Sequence, residues 1–194
     1  MVEATRDLPD QPPGAAPRSL TIPEIAGNHV ILDLGGGRYA MYAHLAPGSV
    51  TVHVGDQVRA GDKLGLLGNS GNTTGPHLHF QISDRPSTLD TTSLPYVFAA
   101  MELQSVVSVN MDDIEEYSIK GTALPMDRKV AKLLKGTMPL SRDVINFHDE
   151  ARAPRIRIVR PHRTMNPLGR ACEKSIGACE ALRAGRLDSR GVVR

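Results

Sequence analysis

Alternation of apolar and polar positions is concentrated between residues 27 and 83. From Asn28 to Leu34, Val30, Leu32 and Leu34 alternate with His29, Ile31 and Asp33; Gly35, Gly36 and Gly37 interrupt the run, and Arg38 to Leu45 resumes it. Two strand-like runs joined by glycines predict a β-hairpin, because glycine reaches the positive φ that tight turns need. Shorter strand candidates follow at 50–54, 57–59, 63–67 and 77–83, divided by Gly55, Gly61, Gly68, Gly71 and Gly75. Short strands at close spacing with glycine punctuation predict a mainly β fold, an antiparallel sandwich or barrel-like domain. Ahead of it, Pro9, Pro12, Pro13, Pro17 and Pro23 make residues 8–26 loop or linker, since each proline removes a backbone donor.

Beyond residue 83 the pattern is less regular. Tyr96–Leu103 and Val144–Phe147 read as edge strands, with Tyr96 and Phe98 packing there rather than binding substrate. MDRKVAKLL at 126–134 spaces Val130, Leu133 and Leu134 as a short amphipathic helix would. After Phe147 no apolar period is sustained. The chain therefore divides into a remnant strand and Pro-rich loop at 1–26, a β core at 27–83, a C-terminal extension at 84–147, and a tail at 148–194 expected to be disordered.

Composition sharpens this division. Hydrophobic residues make up 40% and charged residues 23% of the 194, enough for a core, while aromatics at 4% with no Trp point to an aliphatic one. The formal charge of +2 averages two unlike parts: residues 1–150 hold 12 basic against 18 acidic side chains, and residues 151–194 hold 11 against 3. Arg155, Arg157, Arg160 and Arg163 could follow a polyanion, but the tail brings no nucleic-acid fold or aromatic platform, so nucleic acid is not the expected partner. Cys172 and Cys179 are too few for a disulfide framework or a four-thiolate metal site, and they read as free thiols. No stretch approaches the ~20 apolar residues of a membrane-spanning helix, and the N-terminus lacks the pattern of an export signal.

The chemistry lies with three histidines. In HLHFQI, His77, His79 and Gln81 share one face of a strand, opposite Leu78, Phe80 and Ile82; in RYAMYAHL, alternation groups His44 with Ala40 and Tyr42. Neighbouring strands could bring the three imidazoles to one polar patch, as a catalytic zinc site requires, although a His-x-His pair alone is weakly specific. His53, His148 and His162 have no partners at ligand spacing and read as exposed.

These pieces occur in a recognisable order: Gly27-Asn28 opening a strand, Tyr42-Ala43-His44-Leu45, Gly55-Asp56-x-Val58-x-x-Gly61, Gly65-x-x-Gly68-x-x-Gly71, and Gly75-Pro76-His77-Leu78-His79-Phe80. Over residues 27–83 the chain resembles the lysostaphin-like (LytM-type) zinc metalloendopeptidases. The resemblance implies an antiparallel β fold and hydrolysis of peptide bonds in the stem or cross-bridge of bacterial peptidoglycan. It implies that His79 ligates zinc and that His44 and His77 lie beside the scissile carbonyl as acid/base and stabilising groups. It also implies action outside the cytoplasm, in the periplasm, the cell wall or the extracellular space.

One departure bears on activity. The family takes two further zinc ligands, a His and an Asp, from an HxGxD motif upstream of the Gly-Asn strand, and residues 1–26 contain no histidine. His29-x-x-x-Asp33 is the nearest substitute, but it lies in the strand that follows the family's motif and has Ile31 where the glycine belongs. A three-histidine site from His44, His77 and His79 is chemically permissible but would consume the acid/base residues. The expectation is weak zinc binding and little or no peptidase activity. A non-catalytic module that recognises cell-wall peptide or an amidase partner is the alternative, and a chain whose natural start lies upstream is a third reading. The loop GNSGNTTG lacks the lysine and following helix of a phosphate-binding loop and reads as a turn. The carrier-domain hairpin suggested by VHVGDQVRAGDKLG has no lysine at a modifiable turn.

Overall fold

The computed structural model describes residues 3–5, 7–15, 19–147, 156–158 and 192–193. In chain order the elements are β1 (Glu3–Thr5), a 3-10 turn (Ile22–Glu24), β2 (Asn28–Asp33), β3 (Tyr39–Leu45), β4 (Gly65–Leu66), β5 (His79–Ser83), β6 (Tyr96–Val107), α1 (Met111–Lys120), β7 (Met126–Thr137), β8 (Asp143–Asn146), β9 (Ile156–Ile158) and β10 (Val192–Val193). Every strand pairing is antiparallel.

The first sheet has the order β1-β2-β3-β5, and its centre is the expected hairpin of β2 and β3. Leu34 N–H donates to Arg38 O at 2.9 Å to close the turn, and Asp33 accepts from Gly35 N–H at 2.7 Å. Of the remaining strand candidates between 50 and 67, β4 alone is a strand; the rest is irregular chain held by bonds such as Thr51 N–H to Leu64 O. The second sheet has the order β7-β6-β8, with β9 paired to the start of β6.

A separate two-stranded sheet pairs β4 with β10, and the core lies between the two larger sheets. Val30, Leu32, Ala40, Leu45, Phe80 and Ile82 from the first meet Tyr96, Phe98 and Met101 of β6, with Leu134, Ile145 and Phe147 packed alongside. The scarcity of aromatics predicts an aliphatic core, but the few present are concentrated here. Tyr42, Phe80, Tyr96, Phe98 and Phe147 form an unbroken line of ring contacts, with successive centroids 5.0, 5.3, 5.7 and 4.9 Å apart. A few large rings thus span the gap between sheets that aliphatic side chains alone fill less efficiently.

Two local expectations differ from the structure. Residues 126–134 lie within β7 rather than a helix: pairing with β6 over Phe98–Val107 supplies a ladder of backbone hydrogen bonds, and the apolar spacing of the segment did not reflect a helical face. β6, expected at an edge, is interior to its sheet, with β7 on one side and β8 and β9 on the other. The helix forms instead at Met111–Lys120, where Ile114 is buried and Glu116 pairs with Lys120 one turn on. The tail falls outside the described residues except for β9 and β10, as do His148, His162, Cys172 and Cys179. Among the described residues, no helix is long and apolar enough to cross a membrane.

Candidate active site

The outer face of the first sheet carries the chemistry. Ile31, Met41 and Ala43, with Ala26, form a small apolar layer on the side opposite the main core. His79 pairs with Ala43 and Gln81 with Met41, so His79 and Gln81 project onto this outer face while Phe80 and Ile82 enter the core, as the alternation of HLHFQI predicts.

His44 reaches that face by a different route. Ala40 and Tyr42 face the core, so strict alternation would send His44 there too. Instead, His44 has a φ of 62°, one of two non-glycine residues with positive φ among those described. Between the Val30–Tyr42 and Asn28–Leu45 pairs, β2 spends one intervening residue and β3 spends two, which is a β-bulge. The extra residue puts Leu45 into the core in place of His44 and turns His44 outward. Its ring centroid then stands 4.7 Å from that of His77 and 5.9 Å from that of His79. The three histidines singled out in the sequence are therefore brought together, but the bulge rather than alternation delivers the first of them.

Backbone carbonyls fix which ring nitrogens carry protons. A carbonyl can only accept, so His44 Nδ1–H donates to Ser70 O at 2.8 Å and His77 Nδ1–H donates to Gly75 O at 2.9 Å. Each ring presents a lone pair at Nε2 in its neutral form. His79 uses Nε2 toward Gln81 Oε1 at 3.2 Å. Burial pushes the His44 imidazole down to about 4, helped by neighbouring His77, His79 and His29 and opposed by the Ser70 bond. Burial also lowers His79. At neutral pH His44 is therefore an uncharged acceptor.

Behind the histidines lies a polar scaffold that the sequence did not announce. Asn28 is fully buried: its Nδ2 donates to Leu8 O (2.7 Å) and Leu45 O (3.0 Å), its Oδ1 accepts from Leu8 N–H (2.8 Å), and its own N–H donates to Ser70 Oγ (2.9 Å). A Cβ on Gly27 would lie 2.3 Å from Ser70 O, and one on Gly71 would lie 2.4 Å from Gly27 N, so these glycines allow two backbones to touch. The loop expected only to turn the chain thus buries Asn69, Ser70 and Thr73 in service of the site. Its signal in the sequence is the small polar residues between the glycines.

His29 and Asp33 do not come together. His29 is buried with Nδ1–H bound to Gly27 O at 2.8 Å, whereas Asp33 is exposed at the hairpin turn. His53 is exposed, 3.7 Å from Asp56. Among the described residues, no group of three or more His, Cys, Asp or Glu side chains is placed to hold a metal ion. The site is an acceptor-rich imidazole cluster with an incomplete donor set for zinc.

Comparison with known proteins adds relatives to this geometry. Residues 19–91 match the model of peptidase family M23. A 57-residue stretch is 40% identical to an uncharacterized metalloprotease of Buchnera aphidicola, covering 29% of this chain and 15% of that protein. Over 72 residues the chain is 36% identical to peptidoglycan DD-endopeptidase ShyA of Vibrio cholerae, covering 36% and 16% respectively. Endolysin 2638A of Staphylococcus phage 2638A is 32% identical over 109 residues, 55% of this chain and 22% of the endolysin. The chain spans less than a quarter of the length of these curated relatives. No solved structure matches it.

Proposed function

We propose, from the premise that residues 19–91 belong to peptidase family M23, that the histidine face binds the peptide of bacterial peptidoglycan and is built for hydrolysis of its peptide bonds. The observation that carries this reading is the meeting of His44, His77 and His79 on one face through a bulge that a purely structural hairpin does not need. The relatives named for peptidoglycan endopeptidase activity point to the same substrate class.

In this reading His44 and His77 are the catalytic pair. With Nδ1–H committed to carbonyls, each offers Nε2 to a water beside the scissile carbonyl and can take its proton; once protonated, the same nitrogen can give that proton to the departing amine. The low proton affinity of buried His44 favours the donating step, because a proton placed there leaves readily.

Peptidase family M23 is zinc-dependent, and His79 is the residue assigned here to the metal. One imidazole does not make a zinc shell, however, and the described side chains provide no set of three. The donors described therefore do not fit the ion as a complete site, and hydrolysis by this chain is expected to be weak. Zinc calorimetry beside digestion of purified peptidoglycan tests this. The expected result is no stoichiometric binding at micromolar zinc and little release of peptide; tight one-to-one binding with turnover overturns it. Peptidoglycan binding with no cleavage at any zinc concentration would instead identify a recognition module.

A further inference from the structure

We infer that Thr73 is a positioning residue for His77, the end of a one-way hydrogen-bond chain that begins at the Pro-rich segment and passes through Asn69. The inference rests on the proposed role of His77 only for its catalytic meaning; the chain itself is read from geometry.

Its direction follows from what each group can do. Gln11 O is a carbonyl and only accepts, so the Asn69 atom 2.7 Å away is Nδ2, donating. That fixes the amide and turns Oδ1 toward Thr73, whose hydroxyl lies 3.0 Å away. Oδ1 only accepts, and so does Gly75 O, 2.9 Å from the same hydroxyl, so Thr73 gives its single proton to one of these two oxygens and in either case keeps oxygen lone pairs for His77 Nδ1–H at 3.2 Å. Thr73 also acts by a second route: its hydroxyl receives Gly75 N–H at 3.4 Å, and Gly75 O is the other acceptor of His77 Nδ1–H. Both Asn69 and Thr73 are buried, so water competes weakly for these bonds.

The far end is anchored along several residues. Asp10 Oδ1 accepts from Asn69 N–H at 2.8 Å, Gln11 N–H donates to Asn69 O at 2.9 Å, Gln11 Nε2 donates to Gly71 O, and Gly14 N–H donates to Thr74 O at 2.9 Å. Residues 10–14 thus run as a strap along the glycine loop. The strap sets Asn69, Asn69 Oδ1 and Gly75 O between them hold the Thr73 hydroxyl proton, and Thr73 keeps the proton of His77 on Nδ1, so that Nε2 faces the reaction as a lone pair.

The test uses the full chain labelled with nitrogen-15 in its histidines, at about pH 8.5 where imidazoles are neutral. Long-range nitrogen–proton correlation spectra report which ring nitrogen carries the proton. The unmodified chain should show His77 in the Nδ1–H form. Thr73→Val should lower the ratio of Nδ1–H to Nε2–H in His77 by roughly threefold to tenfold, the scale of one neutral hydrogen bond. Thr73→Ser should restore it, and His44, held separately by Ser70 O, should not change. Thr73→Ala, which adds no bulk, is measured in parallel. An unchanged His77 ratio in Thr73→Val and Thr73→Ala overturns the inference. So does disturbance of His44 equal to that of His77 in both variants, which would make Thr73 a general structural residue. Because neither zinc nor turnover is needed, tight zinc binding with turnover, or a failure to bind peptidoglycan at all, would overturn the proposed function and leave this result standing.

Discussion

Strand β3 is enclosed on both sides: Ala40 and Leu45 enter the main core while Met41 and Ala43 pack in the outer layer. Strand β7, nearly twice as long, leaves Ala131, Lys132, Leu133 and Lys135 exposed and half-buries Leu134. Both are antiparallel partners in their sheets, and each pairing carries one irregularity: β3 against β2 between Val30 and Asn28, and β7 against β6 between Leu103 and Ser105. The difference lies in what covers the second face. Over the first sheet, loops 8–14 and 68–75 are bound down by buried polar groups, and backbone approaches backbone at Gly27, Gly68 and Gly71. β7 has no such cover among the described residues. Backbone hydrogen bonds suffice to make a strand; enclosing both its faces takes residues chosen position by position, and that is where the chemistry sits.

The sharpest way to break this contrast is at glycine. A Cβ on Gly71, at φ 84°, would lie 2.4 Å from Gly27 N, so Gly71→Ala should cost about 4 kcal/mol or prevent folding. Gly136→Ala, at φ 60° with nothing within 4 Å, should cost about 1 kcal/mol, its backbone strain alone. Urea denaturation of the pair measures the gap; equal losses would remove the distinction between the regions. Leu45→Ala empties a fully buried position and should cost about 3 kcal/mol, whereas Leu133→Ala, at a position 54% exposed, should change stability by less than about 0.5 kcal/mol.

Acidity separates the regions by another means. The proton affinity of His44 is lowered by burial from the ordinary 6.5 to about 4, so the unfolded chain takes up its proton first. Stability is fully present above about pH 6.5 and is lost as pH falls toward 4, by up to about 3 kcal/mol. Denaturation midpoints across this range should slope downward, and His44→Gln should flatten most of that slope. A smaller effect, of opposite sign, is expected at the join between sheets. Tyr96 Oη is buried with no hydrogen-bond partner among the described residues, so Tyr96→Phe should keep the line of rings and raise stability by about 1 kcal/mol. A lower melting temperature would show that the hydroxyl has a partner after all.

Much of the first sheet was legible because HLHFQI and the β2–β3 hairpin obey a two-residue period. The position of His44 was not, since a bulge depends on counting residues across two paired strands and leaves no mark in either strand alone. β7 is illegible for the opposite reason: Val130, Leu133 and Leu134 have helical spacing, yet Leu133 is exposed and the ladder with β6 decides the conformation. Asn69 and Thr73 sit in a segment that composition marks as a turn, and Asn28 opens a strand whose alternation leaves its side-chain bonds unannounced. Their importance appears only when Leu8, Gln11, Ser70 and His77 are seen to converge on them.

The bulge in β3 also makes the histidine cluster depend on chain length as well as residue identity. Loss of a single residue between Tyr42 and Leu45 would restore an uninterrupted ladder between β2 and β3, at the cost of the bond from His44 N–H to Ala26 O. Two relatives can therefore share every histidine and differ by a one-residue gap, and only one of them would assemble the cluster. For this fold, the gap column in an alignment carries as much functional information as the identities beside it.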